Sequence, residues 1–504
     1  MSGFHDASSD AGGLAEAEAD WVIIGSGAGG GAAARVLAQA GHGVIVLEDG
    51  PLVSKETNTP LVKDTLARLF REGGKSAALG AVAMPLLQGR CVGGTTYVNS
   101  AIIWRLPETV LAAWHQQHGL AQSLTAAALE RAYLALEEEL HVTPVGPAIA
   151  SGSDRLMELG AGRAKIESRY LHRAERGCHG SGRCFHGCPH DAKQSTAVNQ
   201  LQRAVTDGAE IFANASVTKI RFEGPRATGV EGTVGGRGPG RGRAFRTRAR
   251  RGVIVCASAI QSPNLLRRSG LKLPRLGDRF MAHPGTSVVG LYDQRVDGWS
   301  GAAQGFEAFG LRDTLGVKFE SINVPPEITA ARLPGAGKKL AGWLDQLPYL
   351  ASWAAALRAE AQGTVRPSRI FGDLVRYTLT AGDLERLRRG LKALAEIHFL
   401  AGARLVLPGV HGMPDTLASP DQLKLFDAAP LDPGAYSMLA THLFGGCVAG
   451  RSAEDSVVDA NFAVHGTERL HVMDASVFPS NTGVNPQHAI MAVARVAAGR
   501  LAAG

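Results

Sequence analysis

The chain lacks the features that would place it in a membrane or mark it for secretion. No uninterrupted apolar run of about 18 residues occurs, so a membrane-spanning helix is not expected. The first 20 residues are small, polar and acidic, and they lack the basic and then apolar order of a signal peptide. We therefore expect a cytoplasmic protein. Peripheral membrane contact, or export together with a partner subunit, stays open.

Cysteine is scarce as well, with six residues in 504, and disulfides are not expected where thiols are kept reduced. Three of the six, Cys178, Cys184 and Cys188, lie within 11 residues, and a proline follows the last one. Cysteines separated by glycines and closed by Cys-Pro suit iron–sulfur ligation. Two alternatives stay open, ordinary reduced thiols or a zinc site that adds nitrogen ligands from His179, His186 and His190.

A platform of aromatic side chains for nucleic-acid bases is missing, although the formal net charge is +7. The densest basic stretch, residues 237–251, contains a single aromatic residue, Phe245, and lies between two strand-like runs. Nucleic-acid binding is therefore not expected. The stretch predicts a solvated β-hairpin, with a docking patch for an acidic partner as the alternative.

The chain does contain a dinucleotide-binding pattern near its start. The apolar run 21–24 leads to Gly25, Gly27 and Gly30 and then to small helix-forming residues. In such a pattern one glycine makes a tight turn, the next lets the backbone approach a pyrophosphate, and the third lets helix and strand pack closely. A second apolar run ends in Glu48, at the spacing expected of a carboxylate that binds a ribose hydroxyl.

Four further blocks extend this pattern, at residues 89–99, 257–266, 442–447 and 473–486. Together with the glycine loop they resemble the glucose–methanol–choline (GMC) oxidoreductases, which are flavoproteins that oxidise alcohols. The resemblance covers residues 20–285 and 380–504, and it is closest to cholesterol oxidase and long-chain alcohol oxidase members. The cysteine spacing resembles the segment that holds a three-iron–four-sulfur cluster in bacterial FAD-dependent glucose and sugar-acid dehydrogenases.

The resemblance implies an α/β fold with two domains. One is a doubly wound, Rossmann-like FAD-binding domain, and the other is a substrate domain on a mixed or antiparallel sheet covered by helices. The expected segments are a disordered tail (1–18), three parts of the FAD-binding domain (19–110, 192–285 and 440–504), a cap with the cysteine cluster (111–191) and a substrate-binding domain (286–439).

The resemblance also implies FAD and assigns its contacts by position. The ADP half would lie on the glycine loop and on Glu48, with Val217 on the adenine side. The remaining expected contacts are with the isoalloxazine (Gly94, Thr95 and Asn99) and with the pyrophosphate and ribityl chain (Asp474 and Ala475). The three clustered cysteines would hold the iron–sulfur cluster.

Alcohol oxidation removes a hydroxyl proton and a hydride from one carbon, so the protein must supply a base and a donor to the oxygen. His442 suits the base, because an unperturbed histidine has a pKa of about 6.5. Asn485 takes no proton, but its amide can donate a hydrogen bond to the substrate oxygen. We also expect His488 to form part of the pocket wall, and Glu320 to lie in an alternating strand that can face the pocket.

The electron acceptor and the substrate are open at this stage. With a cluster, electrons would leave to a cytochrome or a quinone, which favours a dehydrogenase. Without it, an oxygen-using oxidase is the alternative, and a non-redox lyase of the same family is a further one. Apolar residues at helical spacing over 340–357 predict a cap helix broken at Pro348, and they favour an apolar alcohol.

Overall fold

The fold was obtained as a computed structural model, which describes residues 3–9, 14–235 and 242–504. Its strands are β1 (Phe4–Asp6), β2 (Glu16–Ile24), β3 (Val44–Leu47), β4 (Ala77–Leu79), β5 (Ala83–Pro85), β6 (Val142–Pro144), β7 (Ser168–Tyr170), β8 (His172–Ala174), β9 (Glu210–Ala213), β10 (Ala215–Glu223), β11 (Arg226–Val234), β12 (Arg243–Val255), β13 (Asp278–Leu291), β14 (Phe306–Ala308), β15 (Val317–Ile322), β16 (Leu350–Leu357), β17 (Gly363–Ser368), β18 (Gly372–Arg376), β19 (Leu405–Leu407), β20 (Leu439–Phe444) and β21 (Leu470–Val472).

Helices cover and connect these strands. They are α1 (Ala28–Gln39), α2 (Val62–Leu69), α3 (Thr95–Val98), α4 (Glu108–His118), α5 (Ala126–Glu139), α6 (Gly152–Arg163), α7 (Gln200–Thr206), α8 (Ser258–Arg268), α9 (Pro326–Ala330), α10 (Lys338–Asp345), α11 (Ala381–Leu400) and α12 (Gln487–Ala503).

The first sheet has eight strands in the order β1-β9-β3-β2-β12-β11-β10, and β21 pairs with β12 beside this path. Strands β2, β3, β9, β12 and β21 pair in parallel. The end of β2, from Trp21 to Ile24, is buried throughout, as expected for a parallel strand covered on both faces. Helix α1 begins directly after the glycine loop and packs against α12. The predicted order of strand, glycine turn and helix is therefore present.

The second sheet has eleven strands and is mostly antiparallel, with the long strand β13 at its centre. Helix α11 packs on β13 and β16. It begins at a capping box, in which Thr380 accepts from the Asp383 backbone and Asp383 accepts from the Thr380 backbone. The amphipathic pattern over 383–400 predicts this helix. A doubly wound sheet combined with a second, helix-covered sheet confirms the expected fold class.

Two expectations differ from the structure. The segment 340–357 is not one broken helix, because Leu350–Leu357 forms β16 between β13 and β15. Buried and partly exposed residues alternate along β16, and this period of two is typical of a strand and not of a helix. The tail 1–18 is also partly ordered, since β1 pairs with β9 and β2 begins at Glu16.

The basic stretch forms an antiparallel hairpin of β11 and β12, with residues 236–241 of its connection outside the described part of the chain. Arg248 pairs with Glu18, and Arg250 pairs with both Glu18 and Asp20 at the start of β2. Part of the positive charge of the basic stretch is thus paired with carboxylates of the same protein. Over the described ranges, no helix is both long enough and apolar enough to cross a bilayer.

Candidate active site

A cavity of about 1660 Å³ is lined by residues from both sheets. With one exception, every residue predicted to contact FAD, and both residues predicted for the chemistry, lie on its wall. These residues are Gly25, Gly27, Glu48, Gly94, Thr95, Asn99, Val217, His442, Asp474, Ala475 and Asn485.

The exception, Gly30, has a packing role. A Cβ atom on Gly30 would lie 1.9 Å from the carbonyl oxygen of Gly25, and one on Gly29 would lie 1.8 Å from that of Met473. At Gly27, in contrast, a Cβ atom would meet no atom within 4 Å. Gly27 is the N-cap of α1, so open space lies where the helix presents unpaired backbone N–H groups. This arrangement fits a pyrophosphate at the helix N-terminus.

Glu48 is buried directly after β3, beside the glycine loop. Its carboxylate accepts hydrogen bonds from the Ser26 backbone at 3.1 Å, the Ser26 hydroxyl at 2.7 Å and the Gly50 backbone at 2.9 Å. Burial raises the pKa of Glu48, and these donors oppose the shift. The carboxylate is therefore held at the edge of the cavity where a ribose hydroxyl would replace or share its partners.

Two further predicted contacts are anchored by side chains from distant parts of the chain. Asp474 accepts from the Ser258 backbone at 2.8 Å and from the Ser262 hydroxyl, and burial raises the pKa of its carboxyl. The amide of Asn99 donates to the Oε1 of Gln487, which is the first residue of α12. The cavity wall is thus tied to the closing block of the chain.

His442 lies on β20 and faces His283 of the adjacent strand β13. Their Nδ1 atoms are 3.1 Å apart, so one ring donates and the other accepts. Burial lowers the pKa of His442 to about 4, with Glu320 opposing this shift and Lys318 adding to it. Burial also lowers the pKa of His283 well below the ordinary range. Both imidazoles are therefore neutral at neutral pH.

Asn485 is held by a buried charged network. The ammonium of Lys318, which is 0% exposed, donates to the Oδ1 of Asn485 at 2.7 Å, to Glu307 at 2.8 Å and to Glu320. A lysine ammonium carries donors only, so the amide oxygen of Asn485 must face it. The amide nitrogen is then turned away from Lys318. One of its two N–H groups can serve Glu320, whose pKa Asn485 helps to lower, and the other can donate elsewhere.

The carboxylate of Glu320 reaches the cavity, as the sequence predicts for its strand. Gln304 donates to it at 2.6 Å. Burial raises the pKa of Glu320, but Lys318 more than offsets this, so the pKa lies below the ordinary value. Glu320 also raises the pKa of His442, which means that it stabilises a positive charge on that imidazole.

The prediction for His488 is wrong. Its ring is 0% exposed, and its Nε2 lies 3.1 Å from Glu137 on α5, away from the cavity wall. Position within α12 explains this, because consecutive residues of a helix point in different directions. His283 and Lys318 also belong to this site and were not predicted from the sequence. A histidine and a lysine in the otherwise apolar runs of β13 and β15 were the available signal.

The three cysteines that are close in sequence are also close in space, but the cavity between them is too small for an iron–sulfur cluster. Cys178, Cys184 and Cys188 line one cavity of about 10 Å³ with Arg173 and Lys193, which is about the space of one water molecule. Across the described ranges, no three His, Cys, Asp or Glu side chains are grouped so as to hold a metal ion. The residues present therefore do not fit an iron–sulfur cluster in this arrangement.

Adjacent positive charges distinguish Cys184 from an ordinary packing cysteine, whereas burial raises the pKa of Cys178 to about 11. Burial raises the pKa of Cys184, but the adjacent charges of Arg173 and Lys193 more than offset it, so the pKa lies below its usual value. The Arg173 guanidinium donates to the Cys184 sulfur at 3.4 Å. All six cysteines of the chain are free thiols.

Comparison with known proteins agrees with this architecture. The N-terminal GMC oxidoreductase model matches residues 66–285, and the C-terminal model matches 361–494. An uncharacterized GMC-type oxidoreductase of Mycobacterium tuberculosis is 36% identical, covering 94% of this chain and 74% of its own. A long-chain-alcohol oxidase of Arabidopsis thaliana is 27% identical, covering 96% of this chain and 67% of its own.

Solved structures share the fold. Pyridoxine 4-oxidase from Mesorbium loti gives a TM-score of 0.70 at 19% identity, covering 95% of this chain and 98% of that one. A formate oxidase variant of Aspergillus oryzae, studied for FAD modification, gives 0.74 at 14% identity, covering 97% and 98%. The chain therefore belongs to the GMC oxidoreductase family of FAD-linked oxidoreductases.

Proposed function

We propose that the protein oxidises the CH–OH group of an apolar alcohol to an aldehyde or ketone, with His442 as the base. The observation that carries this proposal is a buried histidine of lowered pKa and an oriented amide that line the same cavity as the residues expected to hold FAD. FAD, when bound, supplies the acceptor for the hydride. The chain supplies proton transfer, orientation and exclusion of water.

In this mechanism the Nδ1–H of His442 donates a hydrogen bond to the Nδ1 of His283 and stays on His442. The Nε2 lone pair of His442 is then free to take the hydroxyl proton of the alcohol. Asn485 donates its amide N–H to the same oxygen, since Lys318 holds its carbonyl oxygen on the opposite side. Glu320 stabilises the imidazolium that forms. His283 acts through His442 and is a positioning residue.

An apolar substrate is supported by the floor of the cavity. Gly285, Ser287, Ala354 and Ala356 line it from β13 and β16, and directly opposed residues of antiparallel strands share a face. These side chains are small, so they leave room for a chain to lie along the sheet. Long-chain alcohols are also the substrates named for the Arabidopsis thaliana relatives.

For the electrons we propose an external carrier, a cytochrome or a quinone, with oxygen as the alternative acceptor. A three-iron–four-sulfur cluster on Cys178, Cys184 and Cys188 would require these side chains to move apart, because the cavity at which they meet is only about 10 Å³. We derive no electron step through it, because that cavity is too small as it stands. Iron and acid-labile sulfide, measured on anaerobically purified protein, test the cluster directly. About three irons per flavin would support it, and flavin without iron would contradict it.

Anaerobic mixing of the holoprotein with a panel of alcohols tests the proposed reaction. Loss of the oxidised flavin absorption on adding a long-chain primary alcohol would support it. A lyase of the same family would leave the flavin oxidised with every alcohol while cleaving a cyanohydrin. That second outcome would contradict the proposal.

A further inference from the structure

Arg332 is a cation on the wall of the active-site cavity for which the proposed chemistry has no use. It follows the end of α9, and its Nη2 donates to the Thr286 hydroxyl at 2.8 Å and to the Ser437 carbonyl at 3.1 Å. Both partners are neutral. In the part of the chain that the structure describes, no carboxylate lies within ion-pair distance of this guanidinium.

The surroundings make an uncompensated cation costly. Burial lowers the pKa of Arg332 below its ordinary value, and no neighbouring acidic group opposes that shift. A partly buried charge without a counter-ion is unfavourable unless a ligand supplies the opposite charge. A guanidinium also matches the planar fork of a carboxylate better than any other side chain does.

The position of Arg332 relative to His442 indicates how long a substrate must be to reach both residues. Thr286 is three residues beyond His283 on β13, and Ser437 is five residues before His442. At the rise of a β-strand the offset along β13 corresponds to about 10 Å. Ser437 precedes β20, so the second offset spans at most about 16 Å. An extended chain advances about 1.2 Å per bond, so roughly eight to thirteen bonds would join the two points.

The surface between these two points is built to accept such a chain. Gly285 and Ser287 lie on β13 between His283 and Val288, and Ala354 and Ala356 oppose them on β16. All four residues line the cavity, and none projects a large side chain into it. A methylene chain could therefore run along the sheet from the base towards Arg332.

We propose that Arg332 binds a carboxylate at the far end of the substrate, so that the preferred substrates are hydroxy acids of about ten carbons. The hydroxyl carbon then lies at His442, and the carboxylate forms a paired hydrogen bond with the guanidinium. The orientation of the substrate rests on the proposed alcohol oxidation. The carboxylate site itself does not.

Binding of decanoate to the FAD-loaded protein separates these two claims, because decanoate has no hydroxyl to oxidise. Calorimetric titration compares the unaltered protein with Arg332→Met, and with Arg131→Met as a control at an exposed arginine on α5. We expect Arg332→Met to weaken decanoate binding about 10- to 100-fold, and Arg131→Met to leave it unchanged. Decanamide, the neutral analogue, should bind the unaltered protein and Arg332→Met alike.

Kinetics then test the substrate class. The ratio of kcat/KM for ω-hydroxydecanoate to that for decanol should fall about tenfold or more in Arg332→Met, and it should be largely kept in Arg332→Lys. Equal binding of decanoate by the unaltered protein and Arg332→Met, with both folded by their melting curves, would overturn the carboxylate site. Normal decanoate binding, with no flavin bleaching by any alcohol, would instead overturn the proposed reaction and leave the site standing.

Discussion

The ammonium of Lys318 lies 2.7 Å from the Oδ1 of Asn485 and holds that amide in one orientation. The same ammonium pairs with Glu307 and Glu320, and all of these groups are buried. Glu307 also pairs with Arg169 at 2.8 Å. The network therefore has two consequences. It turns the amide nitrogen of Asn485 away from Lys318, and it holds the pKa of the buried Glu320 below its ordinary value.

The first prediction concerns the stability of this network. Lys318→Met leaves the buried carboxylate of Glu320 without a cation and leaves Glu307 with Arg169 alone. We expect it to lower the free energy of unfolding by about 3 to 5 kcal/mol. The double variant Lys318→Met, Glu320→Gln removes the cation together with the carboxylate that depends on it, keeps the Arg169–Glu307 pair, and should recover at least half of that loss. Denaturant melts of the three proteins measure both effects. A double variant no more stable than the single one would show that packing around Lys318, and not charge pairing, is what matters.

A second prediction concerns His283, which orients the base. In His283→Leu the Nδ1 of His442 loses its partner, and we expect flavin reduction by an alcohol to slow at least tenfold. His283→Asn keeps a side-chain acceptor and should retain a larger part of the rate. Rapid mixing under anaerobic conditions gives both rates. Similar rates in the two variants would mean that the ring contact at 3.1 Å does not position His442.

The third prediction is the pH dependence of flavin reduction. The base must be neutral, and burial lowers the pKa of His442 to about 4, so the rate should be constant from neutral pH downwards and fall only as the pH drops through about 4. Glu320 raises this pKa, so Glu320→Gln should move the acid limb to still lower pH. Brief pH jumps in the stopped flow allow the measurement before acid unfolding. A fall in rate near the ordinary histidine pKa of about 6.5 would contradict the assignment of a buried, neutral histidine as the base.

The fourth prediction tests the floor of the cavity. Ala354→Leu adds bulk between β13 and β15, where the substrate chain is proposed to lie. We expect kcat/KM for decanol to fall about tenfold or more, while butanol changes by less than about threefold. Ala341→Leu, on the exposed face of α10, is the matched control and should change neither value. An equal fall in kcat/KM for decanol and butanol would show that the alkyl chain of the substrate does not lie along Ala354.

The sequence predicts much of the cofactor half of the site. Its residues lie in short motifs whose local geometry explains them, such as the turn at Gly25 and the N-cap at Gly27. His442 and Asn485 are found in the same way, because each stands within a recognisable block. Glu320 is found from the alternation of its strand.

The partners of these residues could not be predicted, for a physical reason. Lys318 and Arg332 lie between the two segments that the family models match, in a region without motifs. His283 meets His442 only because β13 and β20 pair in one register, over a separation of 159 residues. Strand β16 was mistaken for helix because its apolar run satisfies both periods, and the neighbouring strands decide between them.

The most direct test of the account is the rate of anaerobic flavin reduction by decanol in His442→Ala, beside His411→Ala as a control at an exposed histidine. Loss of a general base should slow reduction about 100-fold or more, while the control stays within about twofold of the unaltered protein. Both variants should keep their FAD and their melting temperature. Reduction at the unaltered rate in folded, FAD-loaded His442→Ala would contradict the assignment of His442 as the base.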